Sequence, residues 1–157
     1  MVSADETKHL IREWGRRQDE HLGLAGFIDI LAEDGFVMKF GDAEWRGYEG
    51  FEQHQKLKAK FFDEAHVYVE DAWEIVVGET ETQARSQMVW ECRTREGDAP
   101  RSQSLCSDLE HRWVMVRCPR RGTPVIQYHE CLSLKYRPGQ GPDGVHEGDV
   151  HLGAKQS

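Results

Sequence analysis

The strongest constraint on this chain is a change of period near residue 66. Before that point apolar residues recur at helical spacing, and after it they recur at every second position as far as Tyr136. Four stretches carry the alternation: AHVYVEDAWEIVVGE, QARSQMVWECRT, SLCSDLEHRWVMVRC and PVIQYHECLSLKY, joined at GETET, REGDAPR and PRRGTP. Alternation places successive side chains on opposite sheet faces, and long consecutive strands with short links pair most simply as an antiparallel meander.

The first part of the chain reads differently. Residues 4–21 place Leu10, Trp14, Arg17 and His21 along one stripe, with Asp5 and Glu6 near the helix start, where the dipole favours acids. FIDILAED, after Gly23 and Gly26 and before Gly35, predicts a second helix closed by a glycine, and GFVMKFGD a short strand. Residues 47–65 return to helical spacing, with Phe51, Leu57, Phe61, Phe62 and Ala65 on one side and His54 among them. Helices followed by a curved antiparallel sheet predict an α+β fold in which the N-terminal helices pack on one sheet face and the sheet curls around a pocket. One domain spans residues 1–137. Residues 138–157, rich in glycine and proline, predict a flexible C-terminal tail.

Composition narrows the function classes. The chain has 157 residues and a formal net charge of −8, which disfavours nucleic acid and anionic membranes. MVSADETKHL is no signal peptide and no apolar run is long enough to span a bilayer, so the expected location is the cytoplasm. Cys92, Cys106, Cys118 and Cys131 are too widely spaced for a zinc knuckle and read as reduced core thiols. His146 and His151, with Glu147 and Asp149 between them, are metal-ligand types, but a glycine-rich tail holds ligands poorly, so no metal and no cofactor are expected.

At this point the chain resembles the nuclear transport factor 2-like (NTF2-like) superfamily, and within it the SnoaL-like and scytalone-dehydratase-like cone folds. The resemblance rests on ILAEDGFVMKF, WRGYEGFEQH, GETETQA and RRGTPVIQYHECLSLKY, and covers about residues 5–136. It implies a cone enclosing a pocket, and a catalytic histidine at the start of the strand HVYVED. His66 stands there, but alternation puts it on the row of Tyr68 and Glu70, so it reaches the pocket only if the strand begins with a bulge. Asp34 matches the acid of the family's A-E-D-G turn, where a capping role is expected.

Polar residues that interrupt the apolar rows are the candidate site. Asp71 interrupts Val67, Val69, Trp73, Ile75 and Val77; His111 falls among Leu105, Leu109, Trp113 and Met115; Tyr128 and Glu130 fall among Ile126, Leu132, Leu134 and Tyr136. A buried ionised group is costly unless paired, so such positions ask for an explanation. His54, His66, Asp71, His111 and Glu130 are the expected acid–base groups, with Tyr128 as hydrogen-bond donor to a developing oxyanion. Trp45, Trp73, Trp90, Trp113 and Phe51 are the expected substrate-binding walls. The function expected is a cofactor-independent dehydratase, isomerase or hydrolase acting on a small hydrophobic molecule. The alternative is a non-catalytic ligand-binding or subunit-interaction domain. A homodimer is expected through the outer sheet face, where Gln127, His129, Cys131 and Ser133 would lie.

Overall fold

A computed structural model describes residues 1–95 and 97–142. Helix α1 (Ala4–Asp19) starts with a reciprocal cap: the Glu6 amide donates to Ser3 Oγ at 3.1 Å and the Ser3 amide to Glu6 Oε1 at 3.1 Å. Its buried stripe is Leu10, Ile11 and Trp14. Strands β1 (Val37–Phe40) and β2 (Ala43–Arg46) form a hairpin that leads into helix α2 (Gly47–Lys58). The sheet continues with β3 (Phe61–Tyr68), β4 (Glu74–Val77), β5 (Thr82–Thr94), β6 (Gln103–Arg117) and β7 (Pro124–Tyr136). Its order is β2-β1-β7-β6-β5-β3, with β4 also on β5, and every pairing is antiparallel except β1 with β7. The α+β class and the curved sheet under helices are as the sequence predicts.

Three element boundaries differ. Residues 27–34 form no helix; a single tight turn (Leu24–Gly26) precedes them. Leu31 instead bridges to Ile126: the Ala32 amide donates to the Ile126 carbonyl at 2.9 Å and the Ile126 amide to the Ile30 carbonyl at 2.7 Å. Pairing with β7 supplies backbone partners that a short helix would have left open at both ends. The helix predicted to reach residue 65 stops at Lys58, because Phe61 and Phe62 pair with Thr94 and Arg93 of β5. The strand predicted over residues 65–79 is broken by a turn that separates β3 from β4.

Phase also differs from simple alternation, and bulges are the reason. In β3 the register shifts between Phe62 and Ala65, with Asp63 at φ 50°. Glu64, His66 and Tyr68 therefore face the helices, while Val67 is 55% exposed. Gly15 permits this approach, since a Cβ there would lie 2.8 Å from Tyr68 Oη and 3.1 Å from His66 Cβ. Strand β7 carries two bulges. Tyr128 pairs with Val114 but Ile126 with Met115, which leaves Gln127 extra; Cys131 pairs with His111 but Ser133 with Glu110, which leaves Leu132 extra. Between them the row is inverted, so His129 and Cys131 point inward and Tyr128 and Glu130 outward.

Trp14 ties the helices to the sheet, with its ring edge-on to Phe27, Phe51 and Trp113 at 5.4, 5.7 and 5.7 Å. Contacts of this type add ~0.5–1.5 kcal/mol each beyond area burial. All four cysteines are free and buried. The first residues of the expected tail fold back on β6: the Cys106 amide donates to the Gln140 carbonyl at 3.0 Å and Gln103 Nε2 to the Gly141 carbonyl at 2.8 Å. The remainder, with His146 and His151, lies outside the described residues. No helix among the described residues is long and apolar enough to cross a membrane.

Candidate active site

The concave sheet face and the two helices enclose about 90 Å³ of free space. Its walls are mainly aromatic and aliphatic: Trp14, Phe40, Trp45, Leu57, Phe61, Met88, Trp90, Leu109, Leu134 and Tyr136. Four histidines also border it, His54 from α2, His66 from β3, His111 from β6 and His129 from β7, together with Gln18 and Lys58.

His66 differs from the other three. Its Nδ1 lies 2.5 Å from Asp19 Oδ1, and its backbone amide donates to Asp19 Oδ2 at 3.2 Å, so the carboxylate at the end of α1 grips both ring and main chain. The arrangement fixes the tautomer: Nδ1 donates its proton to Asp19 and the lone pair rests on Nε2. Burial pushes His66 below its ordinary pKa, and the Asp19 bond opposes that push.

The other imidazoles form an aromatic chain. His54 stacks on Phe40 at 4.9 Å and meets Trp45 edge-on at 4.8 Å; His129 stacks on Trp113 at 4.1 Å and stands perpendicular to His111 at 4.6 Å. Burial, reinforced by Lys58, brings His54 down to about 3. Burial brings His111 to about 3 as well, with His66 and Lys58 adding to it, and His129 falls well below its usual value, chiefly through burial and then His111. All three are neutral at physiological pH. Both nitrogens of His111, both of His129 and Nδ1 of His54 are buried without a hydrogen-bond partner within the described chain. Unmet buried polar groups cost ~1–3 kcal/mol each, so these five ring nitrogens lower the stability of the fold.

Lys58 and Glu64 close one side. The Glu64 side chain is fully buried, and its Oε2 accepts from Lys58 Nζ at 3.1 Å and from Trp90 Nε1 at 3.1 Å; Lys58 also donates to Gln18 Oε1 at 2.9 Å. Lys58 is therefore engaged by a carboxylate at the edge of the cavity.

Of the residues singled out in the sequence, His54, His66, His111, Trp45 and Trp90 border the cavity. Trp113 and Phe51 are fully buried but lie behind it: Trp113 backs His129 and donates to Ser86 Oγ at 2.9 Å, and Phe51 packs with Trp14, Phe27 and Phe36. The other expectations are corrected. Asp71 is exposed in the turn between β3 and β4. Tyr128 and Glu130 lie on the outer face, where Tyr128 Oη donates to Glu130 Oε1 at 2.8 Å and Arg112 covers the Tyr128 ring at 5.2 Å. Trp73 lies outside the cavity, stacked on Tyr68 at 5.7 Å with Arg12 over its ring. The row expected outside, Gln127 to Ser133, loses His129 and Cys131 to the interior.

Sequence reasoning missed Asp19, Glu64 and His129. His129 could have been found by allowing a bulge in β7. Asp19 and Glu64 carried no local signal, since one ends an amphipathic helix and the other sat in a stretch read as helix.

The sequence itself matches no family model and no curated protein. Solved structures do match. A nuclear transport factor 2-like superfamily protein of Salmonella enterica serovar Typhimurium superposes with a TM-score of 0.67 at 15% identity, covering 92% of this chain and 96% of that one. LinA superposes with a TM-score of 0.68 at 12% identity, covering 90% of each chain. A protein of Novosphingobium aromaticivorans, provisionally assigned as a scytalone dehydratase, gives 0.66 at 13% identity, covering 91% and 94%. The fold is thus the α+β cone of the nuclear transport factor 2-like, cystatin-like group, as the sequence resemblance implied.

Proposed function

We propose that this protein is a cofactor-independent acid–base enzyme of lyase or isomerase type, acting on a compact, uncharged, largely apolar molecule. The observation that carries the reading is the His66–Asp19 pair at the wall of an aromatic cavity. His66 Nε2 takes a proton from a substrate carbon, and Asp19 stabilises the imidazolium that results. The electron pair left by that C–H bond forms a double bond and either expels a leaving group or passes to a carbonyl oxygen. The neutral imidazoles of His111, His129 and His54 supply N–H donors for that oxygen or leaving group, in a space where low dielectric strengthens each bond.

Charge supports the choice of substrate. Three imidazoles are held neutral by burial and Lys58 is already paired with Glu64, so a carboxylate or phosphate would enter without an available counter-charge. The structural neighbour assigned to dehydration is in keeping with this chemistry.

The test begins with compounds that copurify with the protein, identified by mass spectrometry after denaturation. Each is then incubated with the protein in D₂O. Exchange of a carbon-bound hydrogen that is lost in His66→Gln is expected. Tight binding with no exchange in any compound overturns the enzymatic reading and leaves a ligand-binding domain.

A further inference from the structure

The chain repeats one short pattern, an acid, one spacer and a histidine: Asp19-Glu20-His21 where α1 ends, and Glu64-Ala65-His66 on β3. The fold brings the two copies together. Ligand-capable atoms of Asp19, Glu64 and His66 all lie within 4.8 Å of one another. His21 Nε2 stands 3.6 Å from Glu64 Oε1. That oxygen is the independent pointer to a ligand, because the Glu64 side chain is fully buried and Oε1 has no hydrogen-bond partner, although Oε2 has two. An unmet carboxylate oxygen in a protein interior is costly.

We infer that Asp19, Glu64 and His66, with His21 beside Glu64 Oε1, form a binding site for a zinc-like divalent ion that silences the base. Zinc takes carboxylate oxygens and imidazole nitrogens at ~2.0–2.2 Å, so tetrahedral ligands stand ~3.4 Å apart. From the observed positions the Asp19–His66 pair at 2.5 Å has to open by about 1 Å, and the wider pairs among Asp19, Glu64 and His66 to close by up to about 1.4 Å, which side-chain torsions can supply. Hard cations such as calcium prefer all-oxygen shells, whereas mixed nitrogen and oxygen donors favour zinc and its neighbours. Charge permits the ion: two carboxylates face a single ammonium, Lys58, which Gln18 also holds at 2.9 Å. An outer cleft bounded by Gln18, His21, Glu52, Gln55, Lys58 and Glu64 borders this cluster on the side of His21 and Glu64.

The ion would occupy His66 Nδ1, where the proton shared with Asp19 now sits. The ring then carries its proton on Nε2, so its total proton count is unchanged while the lone pair needed at the cavity is gone. This silencing rests on the proposed role of His66; binding of the ion does not.

The full chain, freed of metal, is titrated with Zn²⁺ by calorimetry and with Co²⁺ by visible absorption. One equivalent should bind, and Glu64→Gln and Asp19→Asn should each weaken binding by at least tenfold. Circular dichroism checks that both variants are folded, and either one folded suffices for the comparison. A control, His146→Gln with His151→Gln, removes the other candidate ligands and should leave the affinity unchanged. No binding by the full chain, or binding lost in the control and kept in Glu64→Gln or Asp19→Asn, overturns the site. Where exchange in D₂O has been found, one equivalent of Zn²⁺ should abolish it; absence of exchange altogether removes the enzymatic reading and leaves the calorimetric result standing.

Discussion

His66 Nδ1 and Asp19 Oδ1 are 2.5 Å apart and 47 residues apart in sequence, and the contact joins the end of α1 to the edge strand of the sheet. Asp19 also accepts from the His66 amide, so one carboxylate sets ring orientation, tautomer and the seating of the strand.

The His66 Nδ1 proton, held by the Asp19 carboxylate, should be visible in the NMR spectrum as a slowly exchanging imidazole signal. Asp19→Asn should remove that signal and free the ring to adopt either tautomer. Any activity that depends on His66 should fall by about 10²–10⁴-fold. A signal that survives Asp19→Asn means that another group holds the imidazole.

Gly15→Ala tests the close approach of α1 to β3. Alanine favours helix by ~1 kcal/mol over glycine, yet the added Cβ would lie 2.8 Å from Tyr68 Oη and 3.1 Å from His66 Cβ. Overpacking costs ~1–3 kcal/mol, so a net loss of about 0–2 kcal/mol is expected in urea unfolding, with loosening of the bond from Tyr68 Oη to the Ile11 carbonyl. A gain in stability would show that helix and strand separate without cost.

His129→Phe should stabilise the ligand-free protein. His129 is stacked on Trp113 with both ring nitrogens unmet, and phenylalanine keeps the stack while removing two buried polar atoms. A rise of about 1 kcal/mol in unfolding free energy is expected, with weaker retention of any copurifying ligand. Destabilisation would mean that the imidazole is satisfied by bound water.

Acid should weaken the fold in a defined window. His54 and His111 titrate near 3 when folded and His129 is shifted the same way, whereas unfolded histidine titrates near 6.5. Between those values the unfolded chain binds more protons, so stability is whole above about pH 6.5 and declines as pH falls toward 3. At pH 5 the loss is about 2 kcal/mol each for His54 and His111, and His129 adds to it in the same direction. Glu6 and Glu13, held near 2 by arginine partners, lose their contribution only below about 4.5, so the interval from pH 6.5 to 5 reports the histidines. Urea unfolding at pH 7.5 and 5 measures this, and His111→Leu should remove one increment of the difference. Equal stability at both pH values would show that the imidazoles are open to solvent.

Local chemistry in the sequence determined part of the order of elements: an amphipathic first helix, a later helix that carries His54, and alternating strands whose inward rows on β5 and β6 include Trp90 and His111. Those assignments need only a residue and its near neighbours. Tertiary structure decided the rest. The bulges at Gln127 and Leu132 let β7 follow the curvature of the sheet, and each moves the phase by one residue, which exchanges Tyr128 and Glu130 for His129 and Cys131 at the cavity face. The irregularity beside Asp63 does the same for His66. Asp19 met His66 only because Gly15 lets the helix lie close to β3. Alternation is a local rule, and where an extra residue is inserted depends on how the whole sheet must bend.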